Sequence, residues 1–185
     1  MSPTLASAAL ACHPEHLVMM AKDMRMSVPD TSATLTLDAL GISYERHVYD
    51  YDPSAGKLGV AAAAALGLSP DHVLKTLMVQ IDGRPACVVL PADRELDFAL
   101  VAQAFGGRKA KMLSRPDAEQ RTGYRIGGVS PFGQRSTVPT AFEQCGMDGP
   151  PVVINGGSQG LLIELSPQDA LTATNGIVAD LVKPL

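Results

Sequence analysis

Residues 122–134, Thr-Gly-Tyr-Arg-Ile-Gly-Gly-Val-Ser-Pro-Phe-Gly-Gln, constrain the fold more than any other stretch of this sequence. The glycines open backbone angles closed to other residues, and Pro131 fixes one φ and removes one N–H. A segment of this kind presents backbone to a ligand. Apolar, strand-like runs lie on both sides, a basic run precedes it, and a second glycine cluster, Asn155-Gly156-Gly157-Ser158-Gln159-Gly160, follows. The two clusters read as two loops of one pocket.

The elements around them form no steady βαβ repeat. Thr31 or Ser32 caps a short helix over 33–40, stopped by Gly41, and 42–49 alternates as a strand. An alanine-rich helix over 60–66 stops at Gly67. The clearest strand is 73–81; Asp82-Gly83 is a tight-turn dipeptide, and 86–91 returns as the second arm of a hairpin. A helical pattern follows over 96–105, and Ser114-Arg115-Pro116-Asp117 opens another helix over 117–120. Strands are expected at 136–139, 152–154 and 161–165, a helix from Ser166-Pro167, and apolar alternation again over 177–182. The expected class is α+β, with a curved or barrel-like mixed sheet.

A chain of 185 residues with 46% hydrophobic side chains is long enough for one well-packed domain and short for two. Residues 1–30 carry five of the eight methionines and no strand period. They read as an N-terminal extension to a domain spanning 31–185, and Met26 is a candidate translation start. The net charge of −4 gives no general reason to expect nucleic acid, yet residues 108–135 hold seven basic side chains against two acidic ones. Either that segment is a positive face for a polyanion, or it neighbours acidic segments in the fold. Three cysteines without C-x-x-C spacing look like reduced thiols, and no apolar run approaches the roughly 20 residues of a membrane span. The expected location is cytoplasmic, with no membrane partner.

Several chemistries can be weighed at the glycine segment. Gly128-Val-Ser-Pro-Phe-Gly133 has P-loop glycine spacing, but Gln134 and Arg135 stand where Lys and Ser/Thr are required. Ser130 has no glycine two residues on, and Pro131 lacks the N–H that would complete an oxyanion hole, which argues against a serine nucleophile. No metal or cofactor is expected: His13 and His16 lie in the extension, His47 and His72 are isolated in sequence, and Cys87 reads as core. Lys75 interrupts an apolar strand. Either its face is solvent-exposed, or it is a cation at the pocket wall.

Lys75-Thr76-Leu77, residues 122–134, Ile154-Asn-Gly-Gly-Ser-Gln-Gly-Leu161 with Ile163-Glu-Leu165, and His47-Val-Tyr-Asp-Tyr-Asp-Pro53 together resemble the YbaK/EbsC family of aminoacyl-tRNA deacylases. The resemblance runs in order from about Thr31 to the C-terminus. It implies a YbaK-like α+β fold related to the editing domain of bacterial prolyl-tRNA synthetases. The implied activity is trans-acting hydrolysis of the ester of mischarged tRNA, typically cysteine on the proline tRNA.

By that resemblance Lys75, Gly127 and Gly128 are the catalytic positions. Tyr49, Thr76, Val129, Ser130, Pro131, Asn155, Gly156 and Gly157 bind substrate. The partners implied are an aminoacyl-tRNA, with the proline tRNA favoured, and prolyl-tRNA synthetase. An aminoacyl ester is already activated, so positioning and backbone polarisation of its carbonyl can supply much of the acceleration without a protein nucleophile. Many relatives read Ser-Gly-Gly-Lys-Arg-Gly where this chain has Asn155 to Gly160, a loss of two cations. Alanine or another small residue, and a non-catalytic tRNA- or synthetase-binding module, remain open alternatives. A DNA-binding reading has only the basic segment behind it.

Overall fold

The computed structural model describes residues 29–184. In chain order they form α1 (Ser32–Ala39), β1 (Glu45–Val48), α2 (Leu58–Leu66), β2 (Val73–Ile81) and β3 (Arg84–Pro91). Then follow α3 (Phe98–Ala104), β4 (Ala110–Met112), α4 (Arg115–Thr122) and β5 (Thr140–Glu143). The last are β6 (Val152–Ser158), β7 (Leu161–Leu165), α5 (Pro167–Thr174) and β8 (Ile177–Ala179). The expectations for the N-terminal extension, for Met26 and for His13 and His16 lie outside the described residues.

Eight strands form one mixed sheet in the order β1-β7-β6-β2-β3-β5-β8, with β4 also on β2. This is the α+β, mixed-sheet architecture that the sequence predicts. The β2–β3 hairpin turns through Asp82 and Gly83, both at positive φ, and pairs from Leu74↔Pro91 to Ile81↔Arg84. Its length and its buried apolar side chains make β2 the centre of the sheet. On its far edge β2 meets two partners in succession. β6 runs parallel to it at residues 73–74, and β4 antiparallel at residues 79–81. Between them, residues 75–78 have no strand on that side, so the sheet has a break.

Side chains of β2 alternate across the sheet. Leu74 and Met78 join Val129, Phe132, Tyr124, Ile154 and Ala118 in one core, while Val73 packs with Ala62, Ala92, Val153 and Leu162 in another. α1 is pinned against the glycine segments by its cap. Thr31 and Thr34 form a capping box, and Thr31 Oγ1 donates to Gly156 O at 2.5 Å. α4 begins from Ser114, whose hydroxyl accepts from Asp117 N, and carries Pro116 in its first turn.

Several expected boundaries move for identifiable reasons. The strand expected at 136–139 lies instead at Thr140–Glu143, parallel to β3. Pro139 has no N–H to give a ladder, so pairing starts after it. The second glycine cluster is largely strand: β6 continues through Ser158, with a register shift between Asn155 and Ser158 that accommodates the glycines as a bulge. β4, a three-residue strand inside the basic run, shows no period long enough to read. The α4 helix extends two residues further each way than its cap and charges suggest, and β1 is confined to four residues.

His47 is isolated in sequence but not in the fold. Its Nε2 lies 2.7 Å from Glu164 Oε2, and Glu45 stands opposite Glu164 in the β1–β7 register. Among the described residues no helix is long and apolar enough to cross a membrane.

The two described cysteines differ sharply. Cys87 is fully buried in β3, and burial pushes its thiol up to about 12, whereas Cys145 is exposed. Iodoacetamide at pH 8 is therefore expected to alkylate Cys145 in the native protein, faster as pH rises, because partial burial and Glu143 hold that thiol above its ordinary value. Cys87 should react only after denaturation. Peptide mass spectrometry checks this, and equal labelling of the two thiols in native buffer would contradict the packing of β3.

Candidate active site

A cavity of about 450 Å³ sits at the break in the sheet. Its wall includes Lys75 and Leu77 from one face of β2 together with Leu74, Thr76 and Met78 from the other, so it passes through the gap between β6 and β4. Other parts of the wall come from the start of α2 at Lys57 to Gly59, from the segment after β3, and from Ile126, Gly127, Val129 and Asn155. Gly59 is there for close packing: a Cβ on it would stand 2.9 Å from Ala92 Cβ.

Lys75 is half-buried, and its ammonium donates to Ala92 O at 3.0 Å and Arg94 O at 2.5 Å. Those two bonds fix the head group and leave one of its three protons. Burial holds its pKa below the usual lysine value, opposed in part by Asp93 and then, more weakly, Glu95, while Lys57 depresses it further. The exposed-face reading of Lys75 is therefore set aside: it is a cation in the cavity wall. Lys57, Arg94 and Arg115 are also in the wall, against Asp93 and Glu95, and Glu95 is already engaged by Lys183 at 3.1 Å. A surplus of positive charge at the rim suits an anionic ligand backbone.

The two glycine segments pack on each other. Asn155 Nδ2 donates to Gly127 O at 2.9 Å while its Oδ1 accepts from Gly157 N at 2.9 Å. One residue earlier in the turn, Ile126 O accepts from Gln159 Nε2 at 2.8 Å. Gly127 has φ of 89°, and Gly128 N–H closes the turn onto Arg125 O at 2.9 Å. Tyr124 ties the two ends of the segment, its hydroxyl donating to Phe132 O at 2.6 Å.

Of the residues singled out by sequence, Tyr49, Lys75, Thr76, Gly127, Val129 and Asn155 meet in this one cavity. Gly128, Ser130, Pro131, Gly156 and Gly157 are not among its lining residues. Ser130 is fully buried, its Oγ accepting from Phe132 N and its carbonyl from Gln134 Nε2. Burial raises the Tyr49 phenol above its ordinary value, which keeps it neutral across the physiological range. Lys57 and Arg115, which line the cavity, and Gln159 and Tyr51, which pack on the turn at 126–127, were not foreseen in these positions. For Tyr51 and Gln159 the signal was present, since each lies within a motif that carries the resemblance; their role depends on contacts across the fold.

A cavity at the break in a mixed sheet, with a lysine on one wall and a braced glycine turn on the other, is the candidate site of this α+β domain. Residues 53–173 match the family model for the aminoacyl-tRNA editing domain, and the chain belongs to that family. It is 34% identical over 122 residues to "Putative Cys-tRNA(Pro)/Cys-tRNA(Cys) deacylase EbsC" of Enterococcus faecalis, covering 65% of this chain and 74% of that one. It is also 32% identical to a segment of the proline–tRNA ligase of Maridesulfovibrio salexigens, over 37% of this chain and 12% of the ligase. Among solved structures, hypothetical protein APE2540 superposes with a TM-score of 0.73 at 25% identity, over 82% of this chain and 99% of that one. A structure described as "a putative trans-editing enzyme for prolyl tRNA synthetase" gives 0.69 at 22%, over 85% and 100%, a likeness of fold.

Proposed function

We propose that this chain is a trans-acting deacylase that removes a wrong amino acid from tRNA, with cysteine on the proline tRNA as its main substrate. The observation that carries the reading is the cavity itself. It brings Lys75, Thr76 and Gly127 together in a chain of the editing-domain family, with surplus cations at the rim for the phosphates of a tRNA end. The names of EbsC and of the matched proline–tRNA ligases favour cysteine and the proline tRNA, and the ligase match makes prolyl-tRNA synthetase the natural partner.

No serine nucleophile is needed, because the ester is activated and the turn at 126–128 is held rigid by Asn155 and Gln159. For a cysteinyl substrate the substrate's own sulfur attacks the ester carbonyl, and the bond from that carbon to the 3′ oxygen breaks. The thiol proton ends on that oxygen, releasing tRNA and a cyclic thiolactone that water opens to cysteine. Lys75 orients the ester, and the glycine turn bounds the acyl end. For substrates without a thiol, water replaces the sulfur.

The test follows release of labelled cysteine, alanine and proline from the proline tRNA under single-turnover conditions. Cysteine should leave at least tenfold faster than proline. Faster loss of alanine than cysteine would move the substrate to alanine, and tRNA binding with no release above buffer would make the chain a binding module instead.

A further inference from the structure

Thr76 stands at the break in the sheet with three polar groups unmatched. In a strand the N–H and C=O of one residue point to the same edge, and those of the next residue to the other. Val73 O accepts from Ala92 N on the β3 side, while Met78 O accepts from Leu113 N and His72 O from Val153 N on the opposite side. Even-numbered residues of β2 therefore face the β6–β4 edge. β6 leaves β2 after Leu74 and β4 joins only at Val79, so the backbone N–H and C=O of Thr76 point into the gap without a strand partner. Gly157 N, from the segment where β6 departs, is bonded to Asn155 Oδ1 instead. Thr76 as a residue is only 9% exposed, and its buried Oγ1 has no hydrogen-bond partner among the described residues.

An unpaired donor and acceptor on one buried strand residue carry a cost that a ligand can remove. In an antiparallel sheet two facing residues exchange both N–H···O bonds as a hydrogen-bonded pair. The smallest ligand able to complete such a pair is a single α-aminoacyl unit.

We propose that Thr76 pairs with the aminoacyl group of the substrate as one residue of an added strand, its C=O accepting from the α-ammonium and its N–H donating to the acyl carbonyl. This rests on the deacylase reading and deepens it. The pairing recognises the feature shared by all aminoacyl esters, an amine one carbon from the carbonyl, and is blind to the side chain. Discrimination between amino acids then falls to the apolar wall around Leu74, Met78 and Val129. The same N–H withdraws electrons from the carbonyl under attack, and the Thr76 hydroxyl remains for a further contact on the side of Val129.

The probes are two hydrolysis-resistant amides, 3′-(L-cysteinylamino)-3′-deoxyadenosine and its 3-mercaptopropanoyl counterpart, which differ only in the amine. The cysteinyl probe should bind at least about tenfold more tightly, the loss expected when buried partners go unmatched. Thr76→Val should keep that ratio, because it leaves the backbone groups in place, while weakening both probes if the hydroxyl is used. In ¹⁵N spectra the Thr76 amide should shift and its hydrogen exchange slow when the cysteinyl probe is added. Equal affinity for the two probes, or an unshifted Thr76 amide in the saturated complex, overturns the pairing while deacylation of Cys-tRNA(Pro) leaves the deacylase reading standing. Absence of both probe binding and deacylation removes the two together.

Discussion

Replacing Lys75 by methionine is expected to slow single-turnover deacylation of Cys-tRNA(Pro) about a hundredfold, the scale on which loss of one preorganised cationic or hydrogen-bonding group acts on an acyl-transfer barrier. Methionine keeps the aliphatic stem that lies along the cavity wall and removes only the ammonium. In the native protein that ammonium is held by Ala92 O and Arg94 O, so its remaining proton points from a fixed position. Arginine should not rescue, since its planar fork cannot take the place of a compact head group between two carbonyls. The rate constant at saturating tRNA, compared with the concentration dependence, separates a role in the reaction from a role in binding. An unchanged rate would take Lys75 out of the site.

The same residue sets a pH dependence of stability. Its pKa in the folded chain lies below the ordinary value of 10.5. Between the folded and the unfolded pKa the unfolded chain binds more protons, so the contribution of this group to stability rises with pH through that window. Below the window the cost of a half-buried charge is present in full. Denaturation series on the wild type and Lys75→Met should therefore show the variant's relative advantage shrinking as pH approaches 10.5. An advantage that grows with pH would mean that the ammonium is better solvated in the fold than its surroundings indicate.

Much of this architecture was legible because it is local. The apolar run 73–81, the Asp82-Gly83 turn and the glycine stops at 41 and 67 each have a single economical backbone solution, and the fold adopts it. The strand after Pro139 was misplaced because residues 136–139 look extended, while pairing with β3 is decided by the first available N–H. Motif order brought Lys75, Gly127 and Asn155 to one place, since these lie in segments with a distinctive sequence. What the sequence could not show is the break in the sheet. It arises where β6 departs through its bulge and β4 arrives from a different part of the chain, and no property of Thr76 alone announces that its edge is open. Gln159 is similar: in sequence it registers as a lost cation, whereas in the fold its amide braces the carbonyl of Ile126.

That bracing leaves no room for a side chain at Gly128. A Cβ there would stand 2.8 Å from Gln159 N and 2.9 Å from Ser158 C, both backbone atoms of the β6–β7 turn. Relief requires the two segments to separate, which breaks the contacts of Asn155 and Gln159 to the turn at 126–127. Gly128→Ala is expected to cost about 2–3 kcal/mol, as overpacking a tight contact does, and to lower Tm by about 4–12 °C for a domain of this size. Deacylation should fall further than the remaining folded fraction explains, because the turn loses its fixed position. Gly127 offers the contrast. Its Cβ would meet the ring of Tyr51, the far part of a side chain, so Gly127→Ala should be partly rescued by Tyr51→Ala, leaving the strain of a φ of 89°. No side-chain change at Gln159 should rescue Gly128→Ala, since the obstacle there is main chain. Thermal melts of the two single and two double variants decide the matter, and rescue of Gly128→Ala by Gln159→Ala would show that the turn is held by the glutamine side chain alone and not by close backbone packing.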